Sequence, residues 1–158
     1  MNTTRSGIET AFHLRPPYQL VLLGNRLNAT NSKHYLARYG VGVIEGRVLC
    51  ALADSTQAAA ADISATLGID QASVSRALRS LVNAGLIEIL DDENDGRRRL
   101  LRLTETGHSL QERLVADILT RTEIALTGFS PAERSLLSEF IERLMENVTA
   151  LEIADQDA

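Results

Sequence analysis

Residues 61–107 read ADISATLGIDQASVSRALRSLVNAGLIEILDDENDGRRRLLRLTETG, and this stretch decides the fold. Ile63 and Leu67 fall at i and i+4, one helical turn apart, in a short segment that ends at Gly68. A second segment begins after Asp70, where Val74, Ala77, Leu78 and Leu81 form one apolar stripe at helical spacing. Only Gly68 and Ile69 separate the first helix from the Asp70 cap, so the two helices cross sharply. Gly68 takes the tight turn and Ile69 points back into the core, which is the arithmetic of a helix-turn-helix.

Beyond the second helix, Asn83-Ala84-Gly85 is a stop signal, because glycine accepts the left-handed C-terminal conformation. Residues 86–90 read as a strand, 91–96 as a polar turn-forming tip, and 98–103 as a returning strand. Helix, turn, helix, hairpin is the order of a winged helix-turn-helix, here assigned to residues 43–104. On the second helix Ser73, Arg76 and Arg79 lie away from the stripe, with Gln71, Ala72 and Ser75 at its open start. A helix of this kind enters a major groove, where arginine offers paired donors to guanine O6 and N7. Arg97, Arg98 and Arg99 are consecutive at the hairpin tip, so they point to different sides and at least one is free to enter a minor groove. Ordinary helix packing explains a helical pair alone, and a solvated surface explains an arginine run alone. Their occurrence in this order points to double-stranded DNA as partner.

The segment resembles the MarR family of bacterial winged-helix regulators. The resemblance runs through Ile63, Leu67-Gly68-Ile69, Ser73-Val74-Ser75-Arg76, Leu81 and Gly85-Leu86-Ile87. It continues in the wing signature Asp95-x-Arg97, followed by Leu103-Thr104-x-x-Gly107. With the flanking helices it covers residues 16–150. It implies a homodimeric transcription factor, usually a repressor released by a small ligand. It also implies that Arg97 enters the minor groove and that Asp95 helps to hold it. Relatives often carry an arginine where this chain has Ile89, so the wing is expected to be held mainly through Asp95.

The chain of 158 residues suffices for one domain with a real core, or a small domain with helical arms. A net charge of −5 does not advertise nucleic-acid binding. Residues 54–104 hold six arginines against eight acids, so phosphate affinity must rest on a few placed arginines and helix N-termini, with strong salt sensitivity. Arginine outnumbers lysine fifteen to one, a bias that suits bidentate contacts or simply reflects a GC-rich genome. One cysteine excludes an internal disulfide framework and fits a reducing cytoplasm. No apolar run is long enough to cross a bilayer and no signal peptide is visible, so a cytoplasmic protein without a membrane partner is expected.

Taken in order, residues 1–15 read as a flexible arm and Pro16-Pro17 opens a helix ending at Gly40, with Leu20, Leu23, Leu27, Tyr35 and Leu36 on its apolar side. Residues 43–53 form the next helix. Ala59 stands where relatives cap the following helix with Thr or Ser, so the expected start shifts toward Ser55 or Thr56. A long helix is expected from Thr104 to about Thr127, broken by Gly128. Ser130-Pro131-Ala132-Glu133 is a capping box that starts the last helix, which carries Leu136, Leu137, Phe140, Ile141, Leu144, Met145 and Val148 before an acidic tail over 151–158. The fold class is therefore mainly α with a small β-wing. Helices 16–39 and 105–150 are too apolar to lie exposed, so they are expected to interlock in a two-fold dimer that reads a pseudo-palindromic operator.

The family resemblance places a small-molecule effector pocket between the dimer arms and the winged helix. That region offers Asn25, Arg26, His34, Tyr35, Tyr39, Arg47, Cys50 and Arg113, with Gly46 where many relatives carry an aromatic. Two readings of Gly46 stand side by side: a roomier pocket for an aromatic or acyl-type anion paired with Arg26 or Arg47, or a close approach of two helices. Cys50 reads as a peroxide-sensing thiol or a packed core cysteine, and its place on an apolar stripe favours packing. His13, His34 and His108 lack zinc-like spacing, so no metal and no cofactor is assigned. Beside the ligand-responsive repressor stands a protein-interaction module that kept the fold and lost DNA binding. An enzyme has no phosphate loop, nucleophile constellation or paired carboxylates to support it.

Overall fold

The computed structural model describes residues 15–55, 57–91 and 99–156. Among them are six helices and one antiparallel strand pair: α1 (Pro16–Tyr39), α2 (Val43–Ala53), α3 (Ala60–Leu67), α4 (Gln71–Asn83), β1 (Ile87–Asp91), β2 (Arg99–Leu103), α5 (Glu105–Ala125) and α6 (Pro131–Gln156). The chain divides into two compact units, one ending at Val115 and one beginning at Ala116.

The core of the first unit is the one that the apolar periodicity marks. Val48, Leu49 and Leu52 of α2 meet Ile63 of α3, the Val74–Ala77–Leu78–Leu81 stripe of α4, and Ile87, Leu101 and Leu103 of the strands. At about 1.5–3 kcal/mol for each fully buried Leu, Ile or Val, this cluster is what fixes the angle between α3 and α4. Gly68 adopts the left-handed conformation at φ 60°, and Ile69 turns back to pack on the core. The Ser64 hydroxyl donates to the Ile69 carbonyl at 2.6 Å and locks the turn.

Three boundaries differ from expectation. Strand β1 begins at Ile87 rather than Leu86, because the Leu86 N–H is already given to Leu81 O (2.9 Å) in the cap of α4, while Gly85 sits at φ 68°. Helix α3 begins at Ala60 and not near Ser55 or Thr56. Ser55 closes α2 by donating its hydroxyl to Ala51 O. Ala58 then pairs with Leu101 through two backbone bonds, adding a short third rung to the wing before the helix can start. Finally, α6 continues to Gln156, so most of the expected acidic tail over 151–158 is helical in its backbone.

In the second unit, Ser130 caps α6 as its sequence predicts. Its N–H and hydroxyl both give to Glu133 Oε2, at 2.8 and 2.7 Å, and its oxygen accepts the Glu133 N–H. This pulls the Glu133 carboxyl below its ordinary pKa. Gly128, at φ 89°, separates α5 from that cap. Arg134 clamps the same corner through a two-oxygen pair with Glu123.

The apolar residues expected to be buried along α1 and α6 are not covered within the chain. Leu23, Leu27 and Leu36 of α1 are exposed, as are Leu136, Phe140, Met145, Val148 and Leu151 of α6. Only Tyr35 of α1 is buried.

Candidate nucleic-acid interface

Helix α4 separates its two faces more sharply than any other element. The four stripe residues are buried, whereas Gln71, Ser75, Arg76 and Arg79 are exposed and Ser73 is half-buried. Asp70 caps the helix: its Oδ1 accepts the Ser73 N–H at 2.8 Å. Hydrogen bonds from the Ser73 hydroxyl and main chain, with a smaller contribution from the Arg76 charge, hold the Asp70 carboxyl below its usual range. Arg76 Nη2 donates to Ser73 Oγ at 2.7 Å. The exposed face thus presents two arginines and small polar side chains over the first turns of a helix whose N-terminus carries partial positive charge.

The wing is braced along its strands by charge pairs that the sequence reading missed. Glu88 faces Arg102 and Asp91 faces Arg99 in the strand register. Arg102 reaches Glu88 Oε1 with both Nε (2.9 Å) and Nη2 (2.7 Å), and Arg99 pairs with Asp91. The available signal was opposite charge at matching positions of a predicted hairpin. Such exposed pairs contribute about 0–1 kcal/mol each, enough to orient a strand end but not to hold the wing alone. Of the predicted wing contacts, Asp95, Arg97 and Arg98 lie outside the described residues. Arg99 is placed at the strand end with Asp91 as its partner.

The wing returns to the core through the Thr104 corner. Thr104 Oγ1 donates to Gly85 O (2.8 Å) and accepts the Gly107 N–H (3.0 Å), so one side chain ties the end of α4 to the start of α5. Gly107 packs against the backbone of Leu86. These are the contacts that the Leu103-Thr104-x-x-Gly107 signature exists to make.

A family profile described as MarR family matches residues 39–98, the span from the end of α1 through α4 into the wing. The structure of a MarR/EmrR family transcriptional regulator from Acinetobacter sp. ADP1 superposes with a TM-score of 0.78 at 27% identity, covering 95% of this chain and 99% of that one. The chain is thus similar to MarR-family regulators in sequence over residues 39–98 and in fold over most of its length. The HTH-type transcriptional regulator YybA of Bacillus subtilis is 30% identical over 51% of this chain, and the match spans 53% of YybA, so the chain spans about half the length of that curated relative. A MarR mutant from E. coli, solved in complex with operator DNA, shares the fold with a TM-score of 0.74 at 20% identity, covering 84% of this chain and 95% of that one.

The residues suggested for a MarR-type effector site do not converge on one point. Arg113 stacks over the Tyr39 ring at 5.5 Å, and Tyr39 donates its hydroxyl to Arg113 O at 3.4 Å. Arg47 donates to Asn28 Oδ1 at 2.8 Å and, with Asn28, Ser32, Glu45 and Asp70, borders an open cavity of about 400 Å³ that also touches Ser73. Asn25 and Arg26 are exposed on α1 and do not border it. Gly46 is buried, and a Cβ there would lie 3.0 Å from Leu114 Cδ2, so the volume that glycine leaves is already filled by leucine. Close helix approach, not added room, is what Gly46 provides. Cys50 is half-buried, and burial followed by the nearby Asp54 charge pushes its thiol pKa up. No three His, Cys, Asp or Glu side chains cluster to hold a metal among the described residues, and no described helix is long and apolar enough to cross a membrane.

Proposed function

We propose that this chain is a MarR-type, sequence-specific DNA-binding transcriptional regulator that works as a homodimer on a pseudo-palindromic operator. The observation that carries it is α4: a buried apolar stripe backs an exposed face bearing Gln71, Ser75, Arg76 and Arg79. The dimer reading is supported by uncovered apolar side chains on α1 and α6, which a monomer would leave in water. Repression relieved by a small anion is the regulatory mode that the family suggests. The cavity beside Arg47 offers that guanidinium as a charge partner but sets the Glu45 and Asp70 carboxylates against it, and the space at Gly46 gives no added room.

The test is equilibrium binding to a duplex covering the region upstream of the chain's own gene, at about 50 and 200 mM salt. Tight binding that falls steeply with salt, and is lost by at least about tenfold in Arg76→Ala and in Arg97→Ala, supports the reading. Affinity equal to that for a random duplex at both salts sinks it and favours the protein-interaction module.

A further inference from the structure

Ser73 stands between two opposite charges on α4. Its N–H donates to Asp70 Oδ1 at 2.8 Å. Its oxygen in turn accepts Arg76 Nη2 at 2.7 Å. Residues 70, 73 and 76 are three apart, so their side chains lie along one edge of the first turns. A hydroxyl has one proton to give and lone pairs to receive with. Arg76 has five N–H donors and spends one on Ser73, which leaves the rest of its planar fork facing outward. A long side chain held before binding gives up less freedom when it meets its target.

We propose that Ser73 is a positioning residue, which bridges Asp70 to Arg76 and fixes the Arg76 guanidinium for a base edge without touching a base itself. This rests on the DNA-binding reading above. Its consequence is specific: Ser73 governs which sequence is preferred, not how strongly phosphates are held. The half-burial of Ser73 beside an exposed Arg76 fits that division.

The experiment starts from a duplex selected out of a random pool by the wild-type protein. Anisotropy titrations with that duplex and a shuffled one compare wild type, Ser73→Ala, Arg76→Ala and the double variant. Ser73→Ala should lose about tenfold on the selected duplex and nothing on the shuffled one. The double variant should bind no worse than Arg76→Ala, and Ser73→Thr, which keeps the hydroxyl, should bind like wild type. Equal loss on both duplexes, no loss at all, or a further tenfold loss in the Arg76→Ala background overturns the proposal. A wild type that selects no sequence overturns the regulator reading instead. In that event ¹⁵N relaxation at Arg76 Nε of the free protein decides the bridge: mobility should rise in Ser73→Ala, and unchanged mobility disproves it.

Discussion

Gly107 of α5 lies so close to Leu86, at the entrance to β1, that a Cβ on it would land on the Leu86 carbonyl oxygen and 3.0 Å from its carbonyl carbon. The obstacle is backbone, and that backbone is committed: the Leu86 N–H goes to Leu81 O and its oxygen accepts the Thr104 N–H. Gly107→Ala should therefore destabilise the protein by about 1–3 kcal/mol despite alanine's better helix propensity. Thermal melting followed by circular dichroism checks this. A melting point at or above wild type would show that the corner yields.

The Thr104 corner also shows what a sequence can and cannot disclose. The stripe on α4, the Gly68 turn and the Ser130 cap are local patterns, and each appears where its periodicity or capping chemistry predicts. Ala58, by contrast, joins the wing through Leu101, more than forty residues away, and nothing local announces that pairing. On propensity alone Ser55 is the better cap for α3. Tertiary pairing overrode it, because the chain must stay extended through Ala58 before a helix can begin. The site was half legible for the same reason: a helical wheel sorts Arg76 from Val74, but only packing shows that Leu114 fills the space at Gly46.

Helix α3 retains an opening for stabilisation. Ala59 has the extended N-cap conformation, φ −84° and ψ 157°, and no side-chain cap. Half of a capping box is present, since Asp62 Oδ2 accepts the Ala59 N–H at 3.2 Å. Ala59→Ser supplies the missing hydroxyl for the N-terminal amides and should stabilise by about 0.5–1 kcal/mol. The urea midpoint should rise with an unchanged m value, and a lower midpoint would mean that this position tolerates no larger side chain.

The pH dependence of α4 follows from Asp70. Its folded pKa lies below the unfolded one, chiefly through the Ser73 hydroxyl and main chain. The ionised cap therefore contributes fully above the ordinary carboxylate pKa of about 4, and that contribution is lost as pH falls through the lower folded value. Asp70→Asn keeps a capping oxygen but cannot titrate. Its stability should match wild type less well near neutrality and converge with it below about pH 4. Parallel stability curves for the two proteins across that range would contradict the assignment.

Cys50 tests the redox alternative. A sensing thiol needs a depressed pKa and access, and here burial first, then the Asp54 charge, raises the pKa instead. Alkylation of the native protein at pH 7 should be slower than that of a free thiol and should rise on unfolding. Cys50→Ser should leave any DNA binding as insensitive to peroxide as wild type. Peroxide release of DNA that vanishes in Cys50→Ser would restore the thiol as a switch.

The strongest prediction about assembly comes from α6, where Phe140 is 47% and Met145 59% exposed within the chain. At about 25 cal/mol per Å², a helix face of this kind left in water forgoes several kcal/mol, far more than the roughly 1 kcal/mol that any one of the surface ion pairs returns. Covering it with a second copy is the symmetric solution, because one patch then serves both partners. Phe140→Glu combined with Met145→Glu should leave the first unit folded, since neither residue belongs to its core. Sedimentation equilibrium should show the wild type as a dimer and this variant as a monomer with the same helical content. Operator affinity should fall with it, because a single recognition helix contacts one half-site only. A variant that stays dimeric would move the interface away from α6, and a monomeric wild type would remove the two-fold operator from the proposal altogether.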